Sequence, residues 1–349
     1  MSSFYSLRVS EIKPQTPNSV AVTFAIPDHL KETFQFESGQ YITIKHMANG
    51  TELRRAYSIC SVPGNDTLTV GIKRVENGAF SVYANTQLKV GDVLEVMPPE
   101  GKFVLTPKPQ AQHHYAAFAA GSGITPVLSI IRTAMHEEPE STFVLVYGNQ
   151  TVGETMFHSE LLSLQKQYPE RFFLVFLYSR KQEENAMFGR IDRSTVNFIL
   201  KNKFKDRNFE TFYLCGPEPM IDAVSAVLKE HGVNEKQIRT ELFSTAEKGL
   251  LLESHDGNTT LTVTVDDETQ TFVMPQKKSV LEAVLDQKID APYSCQGGIC
   301  STCIARIVEG KAEMRKNQIL TDSEIAEGLI LTCQAHPSTP TLVVDYDDV

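Results

Sequence analysis

This chain has no surplus of positive charge. Its 33 Lys and Arg stand against 43 Asp and Glu, a formal charge of −10, which argues against a nucleic-acid-binding surface. It has no internal repeat and no low-complexity tract, and 41% hydrophobic with 22% charged residues is not the composition of a disordered chain. Residues 1–8 show no basic stretch followed by an apolar one, so no leader is read there. Long apolar runs are nearly absent too. Only residues 109–131 are uncharged over a length that suits a bilayer. That run contains two His, two Gln, two Gly and Pro126, and it breaks at Gly121-Ser122-Gly123. It reads as strand, turn and helix, so no membrane span and a cytoplasmic location are expected. The six cysteines do not spread as a disulfide framework would: Cys60 and Cys215 are isolated, while Cys295, Cys300, Cys303 and Cys333 fall in the last fifth of the chain. A clustered quartet in an intracellular chain indicates metal.

At 349 residues the chain has length for two or three domains, each with its own core. Their boundaries are read from changes in hydrophobic period. Residues 1–107 carry short alternating segments such as Ser19-Val20-Ala21-Val22-Thr23-Phe24 and Val93-Leu94-Glu95-Val96. Turn signals at Pro63-Gly64-Asn65-Asp66, Asn77-Gly78 and Gly91-Asp92 separate them, the pattern of an antiparallel β-barrel or sandwich. Residues 108–243 change to strand, helix, strand. Apolar runs at 114–120, 142–147, 172–178 and 211–215 alternate with helical stretches at 127–136, 156–167 and 219–231, and a strand at 237–243 closes the set. This predicts a parallel α/β sheet. Residues 244–258 have no period and read as a linker. Residues 259–349 read as a small α+β unit: a hairpin, a helix at 279–287, a cysteine loop, and strands at 304–308 and 341–345.

The spacing in that loop is Cys295-x4-Cys300-x2-Cys303-x29-Cys333. Two irons need four thiolates converging on a small volume, three from one tight loop and one from a distant segment. Ser294, Gly297, Gly298, Ser301 and Thr302 supply the small, conformationally free residues such a loop requires. Structural zinc favours short pairs on both sides and suits a lone Cys333 poorly. The spacing is that of plant-type [2Fe–2S] proteins, and residues 259–349 resemble plant-type ferredoxins, which implies a β-grasp domain. A zinc-stabilised binding module is the alternative from another class.

In the first domain, Arg55-Ala56-Tyr57-Ser58 offers a guanidinium for a diphosphate, a ring to lie against a ring and a hydroxyl for a ring nitrogen. One strand later come Ile72-Lys73-Arg74, and Gly78-Ala79-Phe80-Ser81 opens a helix-like stretch whose N–H groups suit a phosphate. Together with Pro98-Pro99-Glu100-Gly101-Lys102-Phe103, these resemble the flavin-binding barrel of the ferredoxin–NADP reductase superfamily. The resemblance implies that Arg55, Ala56, Tyr57 and Ser58 hold FAD, with Ser58 near N5. Ile72, Lys73 and Arg74 would line the ribityl and phosphate region, and Gly78, Ala79, Phe80 and Ser81 would hold the diphosphate. FMN is the alternative flavin.

Gly121-Ser122-Gly123-Ile124-Thr125-Pro126 follows a buried strand and opens a helix, the context for a diphosphate on a helix N-terminus. Taken alone, it reads equally as a turn that needs small residues. The same superfamily carries this segment together with Cys-Gly-Pro, here Cys215, Gly216 and Pro217. The resemblance implies that Gly121, Gly123, Thr125 and Pro126 bind the pyridine nucleotide, with Thr125 and Cys215 flanking the nicotinamide. At the third strand's end, Ser179 and Arg180, with Arg190 beyond, offer hydroxyl and guanidinium donors and no acid. This favours a 2′-phosphate, hence NADPH, over NADH; solvated arginines are the alternative. Phe243 is either an aromatic near the isoalloxazine or a core residue of the fifth strand.

Cys60 reads as a small core hydrophobe. Residues 257–349 hold 14 acids and 7 Lys and Arg, which is −7 of the total −10; a solvated face and a docking face for a basic partner both fit. The order of modules resembles reductase components of multicomponent oxygenases. That implies electrons passing from NADPH through FAD and a [2Fe–2S] cluster to an oxygenase, with a di-iron oxygenase expected. A fatty-acid desaturase, a Rieske oxygenase or a haem protein is the alternative acceptor.

Overall fold

Alternation along the N-terminal segments sends every second side chain inward. In β1 (Tyr5–Thr16), Leu7 and Val9 are fully buried while Arg8 and Ser10 face water. With β2 (Ser19–Ala25), β3 (Tyr41–Ala48), β4 (Thr51–Ser58), β5 (Thr67–Lys73) and β6 (Val93–Val96), it builds a six-stranded sheet of order β4-β3-β6-β1-β2-β5. Just past β4, Ile59 bridges Val70 of β5, so the two edges meet and the sheet closes into the expected barrel. Helix α1 (Ala79–Thr86) plugs one end with Phe80 and Ala84. The computed structural model describes residues 4–48, 50–243 and 257–349.

The central region is a second six-stranded sheet of order β10-β9-β8-β7-β11-β12, parallel throughout. Its elements run β7 (His114–Ala120), α2 (Ile124–Glu137), β8 (Thr142–Asn149), α3 (His158–Gln167), β9 (Phe172–Tyr178), β10 (Met187–Phe188), α4 (Arg193–Phe198), β11 (Thr211–Cys215), α5 (Glu218–Glu230) and β12 (Ile238–Glu241). The chain leaves β7 toward β8 on one side and later returns to β11 on the other. The switch point, where a crevice opens beyond the strands' carboxyl ends, is therefore between β7 and β11. Burial on both faces explains the unbroken apolar runs.

Sequence period separates barrel from parallel sheet, yet the two share one core. Ala21, Cys60, Phe103 and Leu105 from the barrel pack with Tyr115, Ile130 and Tyr213 of the nucleotide region. Residues 5–53 and 57–243 accordingly form one compact unit. Cys60 is the packed hydrophobe expected, and burial pushes its thiol up to about 12.

The second unit carries the C-terminal sheet, of order β14-β13-β17-β15-β16. Its elements are β13 (Asn258–Val265), β14 (Glu268–Pro275), α6 (Val280–Asp286), β15 (Ile304–Met314), α7 (Asp322–Ala326), β16 (Leu329–Leu331) and β17 (Ala335–Asp345). Parallel pairing of β13 with β17 inside an otherwise antiparallel sheet, with α6 supplying Val280, Leu281 and Val284 to the core, is the β-grasp arrangement. Of the expected linker, residues 244–256 lie outside the described residues, and Asn258 already begins β13. Strand β17 runs six residues further back than the sequence suggests, because Pro337 and Pro340 read as breakers. Pro337 pairs with Ala312, and Pro340 falls where the register with β15 is irregular, so neither interrupts the ladder elsewhere. Part of this unit's acidity is internal: the Asp347 carboxylate accepts from the N–H groups of Asp266 (3.0 Å) and Asp267 (2.8 Å). Among the described residues, no helix is long and apolar enough to cross a membrane.

Candidate functional site

The turn after β7 and the turn after β11 meet at the switch point. A Cβ built on Gly123 would stand 2.1 Å from the Cys215 carbonyl oxygen and 3.0 Å from the Gly216 nitrogen. Only hydrogen fits there, which is why glycine stands at this position. The Gly121–Gly123 turn runs straight into α2 with no side chain capping it, and the Ile124 N–H is already bonded to the Gly121 and Ser122 carbonyls, so the approach for a phosphate lies on the turn itself. Thr125 Oγ1 donates to the Ser122 carbonyl at 3.0 Å, and Tyr147 donates to the Gly121 carbonyl at 2.8 Å, holding the turn. Thr125, Pro126 and Cys215 are buried, while Pro217 is exposed.

The barrel supplies the opposite wall. A Cβ on Gly71 would lie 2.5 Å from Thr125 Cγ2, so β5 passes hard against the nucleotide turn. Lys73 brings its ammonium to 3.7 Å from where a Cβ on Gly121 would stand, a cation over the uncapped helix start. Ser58 Oγ donates to Glu241 Oε2 at 3.3 Å. That contact joins β4 to the end of β12. Burial, and then the Glu241 carboxylate, push the Cys215 thiol well above its usual range, so it stays protonated. Glu241 is thus part of the constellation; the sequence reading holds it only as an interior position of the strand expected at 237–243, whereas β12 ends on it.

The remaining flavin candidates divide by exposure. Arg55 and Arg74 are exposed, and Ala56 and Tyr57 are half-buried, with the Tyr57 ring 5.6 Å from that of Phe80. Ile72 and Phe80 are buried in the barrel core, which leaves only their main chain for a ligand. Helix α1, like α2, has no side-chain cap, and Gly78 stands at its N-terminus. The Ser81 hydroxyl accepts from the Val75 N–H (3.1 Å) and shapes the Gly78 and Ala79 approach.

At the far edge of the parallel sheet, Ser179 and Arg180 follow β9, and β10 carries Phe188 next to Gly189 and Arg190. Among the described residues, neither Arg180 nor Arg190 has a carboxylate within ion-pair distance. Phe188 is 64% exposed. This exposed ring, at the strand position paired with Tyr178 and two residues before Arg190, is a feature the sequence pattern does not single out. Phe243 lies beyond β12 and is exposed, so it is not a core residue of the fifth strand.

In the C-terminal unit the four thiols stand as two pairs. Cys300 donates toward Cys295, and Cys303 pairs with Cys333. The Cys300 hydrogen bond lowers the Cys295 thiol to about 7, assisted by the N–H groups of Gly297 and Ile299; Gly297 N lies 3.3 Å from its sulfur. Among the described residues, no three His, Cys, Asp or Glu side chains are set around a single ion position. A two-and-two set of thiols, with main-chain donors on sulfur, fits a di-iron cluster. Gly298, with φ +71°, takes the left-handed turn the loop requires, and a Cβ there would be 2.8 Å from the Lys316 carbonyl oxygen.

A barrel with a phosphate-ready helix, a parallel sheet with a walled crevice at its switch point, and a four-thiol loop define an electron-transferring oxidoreductase of the FAD- and NAD-dependent ferredoxin reductase type. Three family models match: an oxidoreductase FAD-binding domain over residues 6–105, an oxidoreductase NAD-binding domain over 118–226, and a 2Fe-2S iron-sulfur cluster binding domain over 263–338. The last contains all four cysteines and removes the zinc-module reading. The chain belongs to the family that includes one of the subunits of 1,2-phenylacetyl-CoA epoxidase from Escherichia coli (strain K12), with which it shares 39% identity over 355 residues, 99% of each chain. It is also 32% identical to the 3-ketosteroid-9-alpha-monooxygenase ferredoxin reductase component of Rhodococcus rhodochrous, covering 97% of this chain and 96% of that one. Phthalate dioxygenase reductase has the same fold, with a TM-score of 0.62, 22% identity and 98% of both chains covered.

Proposed function

We propose that this chain draws hydride from NADPH and serves, in the cytoplasm, as the reductase component of a multicomponent monooxygenase of the phenylacetyl-CoA epoxidase kind. Its modules are residues 1–107 for FAD, 108–243 for NADPH, a linker from 244 that ends before Asn258 opens β13, and the rest of the chain to 349 for the cluster. The observation that carries the electron path is the convergence of Gly71 on Thr125, Ser58 on Glu241 and Gly123 on Cys215 at one crevice. The acceptor class rests on the end-to-end likeness to the Escherichia coli epoxidase component.

When bound, the flavin and the cluster supply the conversion of a two-electron hydride donation into single-electron delivery. The chain's residues hold and orient. The uncapped start of α1 at Gly78 and Ala79, shaped by Ser81, would take the flavin diphosphate with Arg55. Tyr57 would lie against the isoalloxazine, with Ala56 beside it and Phe243 available as a second ring. Ser58 keeps its hydroxyl proton on Glu241 Oε2 and would face the flavin N5. Lys73, Arg74 and the Ile72 main chain would serve the ribityl phosphate. Gly121, Gly123, Pro126, Gly216 and Pro217 leave room for a dinucleotide, and buried Thr125 and Cys215 would flank the nicotinamide while excluding water.

NADPH preference is assigned to Ser179, Arg180 and Arg190, with the exposed Phe188 ring as a surface for the adenine. Arg180→Ala should therefore cost about 2 kcal/mol of NADPH binding, roughly thirtyfold in KM, and leave NADH nearly unchanged. Steady-state kinetics with both nucleotides checks this, and equal effects would remove the assignment. The acceptor is tested by supplying candidate oxygenase components from the same genome. Coupled turnover with an epoxidase-type di-iron oxygenase is expected; turnover confined to a desaturase, a Rieske oxygenase or a haem protein would replace that reading.

A further inference from the structure

One stripe of α2 reaches back to the barrel. Thr125, Ser129 and Arg132 follow one another at steps of four and three residues, which sets them on a single face of the helix. All three belong to the compact unit of residues 5–53 and 57–243. Thr125 abuts β5 at Gly71. One turn on, the buried Ser129 hydroxyl donates to the Ser61 carbonyl at 2.7 Å. Three residues further, Arg132 Nη1 donates to the Cys60 carbonyl at 2.6 Å, and its Nη2 pairs with Glu160 of α3.

The segment they grip directly continues β4, two and three residues past Ser58. It is also fixed to β5: the Cys60 N–H donates to the Thr69 carbonyl (2.8 Å), and the Thr69 N–H donates to Ser61 Oγ (3.1 Å). Apolar contact alone would hold α2 here without direction. Hydrogen bonds weaken steeply off their preferred angle, so two of them on adjacent carbonyls fix the helix in register with the end of β4. Helix α2 starts at the turn assigned to the nucleotide, and β4 ends at the residue assigned to the flavin. The grips therefore tie the two walls of the crevice together.

We propose that Ser129 and Arg132 are positioning residues for hydride transfer: by holding the Ser61 and Cys60 carbonyls to α2, they set the separation of nicotinamide and flavin. This rests on the placement of the flavin at Ser58 and of the nicotinamide at Thr125 and Cys215. The step moves one hydrogen with both bonding electrons from nicotinamide C4 to flavin N5. A C–H bond breaks, an N–H bond forms, the nucleotide is oxidised and the flavin reduced. Neither residue gives or takes a proton, so their effect is on distance alone.

The test is anaerobic stopped-flow spectroscopy of the full-length, FAD-loaded protein carrying Ser129→Ala or Arg132→Met, both good helix formers. Each variant should reduce its flavin roughly tenfold more slowly at saturating NADPH, with the nucleotide Kd within about twofold of wild type. The long-wavelength charge-transfer absorption of bound nucleotide against oxidised flavin reports ring overlap, and it should weaken in parallel. Thr133→Val is the control, because it removes from the same helix a buried hydroxyl that has no hydrogen-bond partner among the described residues. It should keep the wild-type rate and band. If Arg132→Met fails to hold FAD, Ser129→Ala alone decides. Wild-type rate and band in the loaded variants would overturn the proposal. An equal loss in Thr133→Val would overturn it too, since any loosening of α2 would then suffice. Absence of both charge transfer and flavin reduction from the wild-type protein would instead overturn the placement of the two rings, which keeps the two failures apart.

Discussion

Cys333→Ser should leave a yellow protein that still oxidises NADPH and no longer serves a one-electron acceptor. Cys333 is buried and paired with Cys303, and it comes from a segment remote from the loop that holds the other three thiols. A serine hydroxyl, un-ionised at neutral pH, is a far weaker ligand for iron than a thiolate, so the site keeps three strong ligands and iron content should drop from about two per chain toward zero. The C-terminal unit has its own core, distinct from the cores of residues 5–53 and 57–243. Flavin reduction by NADPH should therefore stay within about twofold of wild type, as expected for independent sites. Delivery to an acceptor protein should fall by about 100-fold or more. Anaerobic stopped-flow spectroscopy reads both. Loss of flavin reduction together with the cluster would mean that the units do not work separately.

Gly123→Ala cuts the same path at its other end. The backbone at Gly123 is right-handed helical (φ −61°, ψ −7°), a conformation alanine adopts freely, so any effect comes from the added methyl group. That methyl would sit 2.1 Å from the Cys215 carbonyl oxygen and 2.5 Å from its carbon. These are main-chain atoms, and no rotamer change relieves the overlap. Either β11 or the start of α2 must shift. The cost in stability is about 1–3 kcal/mol. A displacement of about 1 Å between reacting groups slows hydride transfer by roughly 100-fold. With dithionite in place of NADPH, electron delivery to the acceptor should match wild type, because the damage lies upstream of the flavin. Unchanged flavin reduction with unchanged KM would show that the nicotinamide does not sit at this turn.

Much of this molecule is written locally in the chain. The four-cysteine spacing, the change from alternating segments to strand and helix at about residue 108, and the two turns at Gly121–Gly123 and after Cys215 are short-range patterns. Each reports which residues are buried or free to turn, so module order follows from them, and resemblance to known families supplies the cofactor types. The partners of those patterns are not local. Glu241 meets Ser58 across 183 positions of sequence. Phe188 is one residue of a two-residue strand with no period of its own.

The sequence by itself determined the order of the alternating, strand-and-helix and cysteine-bearing regions and pointed to four cysteines for iron, because spacing and periodicity act within a few residues. Tertiary structure decided that barrel and parallel sheet share a core, that Gly71 and Gly123 must be glycine, and that Glu241 belongs to the crevice. Those facts depend on close approach between segments far apart in the chain, and packing alone brings them together.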